Sequence, residues 1–175
     1  MKRALAVLAL VALAAAAAYW FVLRDEVVAP RVRPLALAAT IGSGNDAVPV
    51  SAGGEVLAWL PLPDGLVLPE LPLAEPPPGK RLKGPVREQA EVLGAVPPVL
   101  RPYVARSLGG EKGVVVELSS GIELVFGDSS QAARKWKAAA AVLASPSIEA
   151  LDYVNVTAPG SPSVGGEGHL LPPLP

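Results

Sequence analysis

The chain has 175 residues, with 15 basic and 16 acidic side chains, a formal net charge of −1, 20 prolines, 17 glycines and no cysteine. That balance excludes the broad basic footprint of a nucleic-acid binder, and the missing cysteines exclude disulfides and thiol chemistry. The length holds one modest domain with appendages, and the proline and glycine content points to a β-rich domain with many loops.

Met1-Lys2-Arg3 precedes an unbroken apolar run from Ala4 to Leu23. About twenty residues at ~1.5 Å rise match the ~30 Å hydrocarbon core of a bilayer, so the run predicts a transmembrane helix over 4–23. Lys2 and Arg3 on one flank, and Arg24-Asp25-Glu26 on the other, place residues 1–3 in the cytoplasm and export the remainder. A cleaved signal peptide is the competing reading, because Ala14 to Ala18 offers small-residue cleavage sites. The apolar run continues through Tyr19 to Leu23 with no polar stretch before a cleavage site, which favours the anchor. Residues 24–33 read as a short charged connector.

The exported domain is expected over residues 34–157. Arg33-Pro34-Leu35-Ala36-Leu37 opens it as a strand, and Ala47 to Trp59 follows as a hairpin turning at Gly53-Gly54. Gly42-Ser43-Gly44-Asn45 lacks the Lys-Ser/Thr and the helix of a phosphate loop and reads as a plain connection. Leu60 to Pro85 carries a proline every few residues, which predicts an extended edge or a surface crossing. Lys80-Arg81-Leu82-Lys83 within it is a solvated basic cluster. Gly84-Pro85 then opens a helix with Val86, Ala90 and Leu93 along one stripe, and Pro97-Pro98 stop it. A further strand runs through Tyr103-Val104-Ala105.

Val114, Val116 and Leu118 alternate with Val115 and Glu117; after Ser119-Ser120-Gly121, Ile122, Leu124 and Phe126 alternate with Glu123 and Val125. Two period-2 runs joined by a glycine turn make an antiparallel hairpin with one buried face. At Gly127 the period lengthens. Asp128 and Gln131 have capping-box spacing, and Ala132, Trp136, Ala139, Ala140 and Leu143 form the apolar stripe of a helix ending at Ser145-Pro146. A last strand spans about Leu151 to Thr157. Residues 158–175 show no period and read as a semi-ordered extension to about Gly166, then a disordered tail. The fold class is therefore α+β: a transmembrane helix followed by a mainly antiparallel sheet domain with two helices packed on it.

The order of the glycine turn at Gly121, Phe126-Gly127-Asp128, Lys135-Trp136 on a helix and the Tyr153-Val154-Asn155-Val156 strand resembles the end of the extracytoplasmic β domain of the FtsQ/DivIB bacterial cell-division family. That family usually has Asp at the position of Asn155 and often a basic residue at that of Thr157. Its members place a POTRA domain between membrane and β domain, for which residues 24–33 leave no room, so that domain's functions are not carried over. The resemblance implies a non-enzymatic, single-pass scaffold of the cell membrane at the division septum, its C-terminal domain extracytoplasmic. It implies partners too: FtsB-like and FtsL-like bitopic proteins, bound by edge-strand pairing, through which septal peptidoglycan synthesis is regulated. Carried over by position, the partner-binding residues are Tyr153, Asn155, Thr157, Ala158, Ser161, Val164 and Gly165. Gly121, Gly127, Lys135 and Trp136 are the structural set. The alternative is a secreted or anchored extracytoplasmic binding module with no division role.

Catalysis finds little support in the residues. The single histidine, His169, lies in a Gly/Pro tail, and Glu117 and Glu123 face each other across a hairpin as solvated neighbours. No metal, cofactor, nucleic acid or small-molecule substrate is expected. Lys135 is read either as a salt-bridge or backbone contact or as an exposed charge, and Trp136 as a core anchor between helix and sheet.

Overall fold

The computed structural model describes residues 35–63 and 65–173. In chain order they form β1 (Leu37–Ile41), β2 (Val48–Ser51), β3 (Glu70–Leu71), α1 (Gly84–Gly94), β4 (Val104–Gly110), β5 (Gly113–Leu118) and β6 (Glu123–Gly127). Then come α2 (Ala132–Leu143), β7 (Ala150–Asn155) and β8 (Ser163–Leu170). All eight strands join one sheet in the order β2-β1-β3-β4-β5-β6-β7-β8. Both helices lie on one face of it. Ser107, Val116, Leu124, Phe126 and Val154 share that face by register, and they meet Gln89 of α1 and Trp136 of α2.

This corrects the expected fold class. Among the described residues no helix is long and apolar enough to cross a membrane; the apolar run 4–23 lies outside them. What is described is a mainly sheet domain with two helices. Its sheet is mixed: β1–β3, β3–β4 and β6–β7 are parallel, while β1–β2, β4–β5, β5–β6 and β7–β8 are antiparallel. The physical reason lies in the connections. A hairpin turn returns the chain antiparallel, but a helix between neighbouring strands carries it back to the end where it began. α1 does this between β3 and β4, and α2 between β6 and β7.

The proline-rich stretch differs from expectation as well. β3 lies inside it and sits in the middle of the sheet, between β1 and β4. Glu70 and Leu71 are the proline-free dipeptide between Pro69 and Pro72, so both N–H groups remain available for a ladder. A proline loses its donor but keeps its acceptor. Thr40 N–H accordingly donates to the Pro69 carbonyl at 3.0 Å, and Leu71 is fully buried. Of the predicted strand Val56 to Trp59 only the first part pairs, and Trp59 stands 74 % exposed.

At the β6–α2 junction the capping-box reading fails. Gln131 takes the left-handed conformation (φ 53°) and makes no side-chain cap. Asp128 instead accepts from Ser130 N–H at 3.0 Å and from the Lys135 ammonium at 2.6 Å. Lys135 is only 3 % exposed, and it also donates to the carbonyls of Phe126 (2.9 Å) and Asp128 (3.0 Å). A buried ammonium surrounded by three oxygens is satisfied, so it ties the helix to the end of β6. Trp136 is fully buried, with its ring centroid 4.8 Å from that of Phe126.

The C-terminal segment is the largest departure. Residues read as extension and tail form β8, a full strand paired antiparallel with β7. Beyond it Leu171 packs on the core and Pro172 is buried; the Tyr103 hydroxyl donates to the Pro173 carbonyl at 2.7 Å.

Candidate functional site

A sheet exposes unpaired N–H and C=O groups at its two outermost strands, and these are the places where another chain can pair. Here the outermost strands are β2 and β8. The β2 rim is covered by the chain itself. Ser51 N–H donates to Glu55 O and Leu57 N–H to Pro49 O, each at 2.9 Å. Outside that layer, Val56 N–H donates to Lys80 O at 2.8 Å and Leu82 N–H to Gly54 O at 2.7 Å, with Arg81 paired to Glu55 at 2.6 Å. The basic cluster of the sequence thus serves as an edge cover. On β8 the inner rim pairs with β7, and among the described residues no backbone group covers the outer rim. Seven of its eight residues are exposed and the eighth is half-buried.

The free rim is therefore one strand further out than the Tyr153–Val156 strand. Val156 is completely buried. Of the residues carried over as partner-binding, Val164 (41 % exposed) and Gly165 lie on β8 itself. Tyr153, on β7, is 42 % exposed and pairs in register with Gly165, its ring lying where a side chain of residue 165 would be. Asn155 ends β7, in register with Ser163 of β8, and Thr157, Ala158 and Ser161 belong to the β7–β8 connection. Asn155 Oδ1 accepts from Thr157 N–H at 3.0 Å and from its hydroxyl at 2.8 Å. Ser161 N–H donates to Ala158 O at 3.0 Å, closing the turn. Asn155 thus works as a local turn-former, a common use of its short amide.

Gly121 (φ 93°) turns the β5–β6 hairpin, and the His169 ring lies against it, so a side chain at 121 would strike the imidazole. Glu117 and Glu123 do face each other by register, and Arg106 holds Glu117 through two N–H groups at 2.9 and 2.8 Å. Asp152, Glu167 and Gly168 also shape the rim, and the sequence reading passed over them. The trace that could have found them is a Gly-x-Gly pattern beside a strand, which marks close approach of neighbouring chains.

No protein family, curated protein or solved structure matches the chain.

Arrangement and chemistry agree in kind. The rim offers backbone donors and acceptors and an aromatic ring beside a glycine. Open strand edges of this kind are the places where extended segments of other proteins can add as a further strand.

Proposed function

We propose that this domain is a non-catalytic docking module that binds an extended segment of a partner along β8, in the manner of an FtsQ/DivIB-type scaffold. In that role it sits at the division septum on the extracytoplasmic side. There it recruits FtsB-like and FtsL-like proteins, and through them helps control septal peptidoglycan synthesis. One observation carries the docking part: the sheet covers its β2 rim with its own residues 55–57 and 80–82, while among the described residues no backbone group covers β8. Open edges invite aggregation, so a protein that covers one edge and leaves the other has a use for the second. The division role rests on the order of short motifs in the sequence, from Gly121 to Val156.

The test is co-purification with FtsB-like and FtsL-like partners, comparing the parent with Val164→Pro and Glu167→Pro. A proline on the rim removes a donor and blocks a ladder. Complex formation should fall sharply while the thermal transition is retained; an unchanged complex overturns the edge reading. Substitution of Val156 tests only the core, because that side chain is buried. A fluorescent fusion addresses the second part. Mid-cell bands support the division role, and diffuse signal leaves a binding module without it.

A further inference from the structure

The docking reading leaves open which segments the rim accepts; the inference here rests on that reading and supplies the chemistry. Gly165, Gly166 and Gly168 leave the middle of β8 almost bare of side chains. Their place is taken by side chains of β7. A Cβ at Gly165 would lie 2.7 Å from Cε1 of Tyr153, and one at Gly166 or Gly168 would collide with the Asp152 carboxyl. The register slips between Leu151 and Tyr153, and Gly166 takes φ 80°, so a bulge sits at the same point. Tyr153 and Asp152 therefore lean across the edge strand towards the rim. Asp152 Oδ1 accepts from Gly168 N–H at 2.9 Å, and Asp152 is exposed. Glu167, exposed, lies between Gly166 and Gly168 and so stands on the opposite face of the strand.

The two strands at this edge carry charge of one sign, while Lys112 lines the hollow on the inner side of Tyr153 with Val125 and Asn155. Residues 138–175 contain Glu149, Asp152 and Glu167 and no lysine or arginine. Backbone pairing gives affinity without regard to sequence, whereas rim charges choose among partners by attraction and by repulsion. We infer that the segment docking on β8 brings a lysine or arginine to the Gly166 bulge, beside Asp152 or Glu167, with an apolar side chain against the Tyr153 ring. A segment with acidic residues at that point meets Asp152 on one face and Glu167 on the other and is rejected.

The experiment titrates the full chain into two fluorescent peptides of alternating threonine and valine, one with a central lysine pair and one with a central glutamate pair. At low salt the lysine peptide should bind roughly three- to ten-fold more tightly, the range expected for exposed charge pairs. The difference should collapse at high salt and in Glu167→Gln combined with Asp152→Asn, which keeps an acceptor for Gly168 N–H. Equal binding of the two peptides, or preference for glutamate, overturns the basic-partner inference and leaves edge docking intact. Binding of neither removes the edge reading and this inference with it. A dimer of the full chain that both peptides dissociate equally would make a second copy the occupant, again overturning the inference.

Discussion

The indole N–H of Trp136 donates to the main-chain carbonyl of Val92 at 2.8 Å, so a side chain of α2 satisfies a carbonyl in the last turn of α1. That carbonyl also accepts from the Ala95 N–H at 3.1 Å, so the indole takes up its second lone pair. Beside this bond the Ser129 hydroxyl donates to the Glu91 carboxylate at 2.6 Å, giving a second tie between α1 and the start of α2. Trp136→Phe keeps most of the apolar contact but removes the indole's bond to Val92, which should cost roughly 0.5–1.5 kcal/mol. Trp136→Ala opens a cavity as well and should cost about 3–5 kcal/mol. Urea unfolding followed by far-UV circular dichroism measures both, and a Trp136→Phe variant as stable as the parent would show that the hydrogen bond contributes nothing.

The Lys135 cluster gives stability a pH dependence. The Lys135 ammonium, with help from Ser130, holds the Asp128 carboxyl down from the usual 3.8 to about 2. A carboxyl whose folded value is lowered stabilises the fold above its unfolded value, and that contribution disappears as it is protonated. Stability should therefore fall between about pH 4 and pH 2, and Asp128→Asn should flatten that part of the profile. Lys135→Met takes the ammonium from the Asp128 carboxylate and from the Asp128 and Phe126 carbonyls, of which Phe126 keeps the Asp128 N–H at 3.0 Å. The change should cost on the order of 1–3 kcal/mol at neutral pH. Thermal unfolding across the acid range checks the sign, and an Asp128→Asn profile that still falls as the parent's does would exclude this source.

Gly113 and Gly127 face each other where β5 begins and β6 ends. Gly113 has φ 75°, and a Cβ there would fall onto the Gly127 carbonyl, a main-chain atom that cannot swing aside. Gly113→Ala should cost at least about 2 kcal/mol, from strain at positive φ plus displacement of the strand pair. Gly110→Ala meets open space nearby and serves as the control. Equal midpoints for the two variants in denaturant would mean that the hairpin end relaxes freely.

Tyr103 and Pro173 make a strap that runs from the end of β8 to the start of β4. Leu171 N–H donates to Glu149 O at 3.3 Å, and Leu171 and Pro172 tuck against the domain. Tyr103→Phe, or truncation after Leu170, should raise hydrogen exchange at Gly165–Leu170 by roughly five-fold or more while core amides in β5 keep their protection. Uniform acceleration across the sheet would mean that the strap holds the whole fold rather than the edge.

Periodicity made the centre of the molecule legible. Val114 to Leu118 and Ile122 to Phe126 alternate because one face is buried under helices. Trp136, Ala139 and Leu143 recur at helical spacing for the same reason. Burial writes itself into the pattern of apolar residues, so the hairpin, both helices and most strands could be read before any coordinates. β3 could not: two residues between prolines have no period, and only β1 and β4 on either side make them a strand. β8 could not either, because seven of its eight residues face solvent and its glycines signal flexibility when read alone.

The sequence by itself determined which residues must leave water, and with them the β-hairpin, the two helices and the anchoring of Trp136. Tertiary structure alone decided the direction of each join and the fate of each edge. Hydrogen-bond partners across strands are distant in sequence and leave no mark on hydropathy. Residues 80–82 thus became a cover for one rim, while 163–170 became the other, open one, bordered by Tyr153 and Asp152.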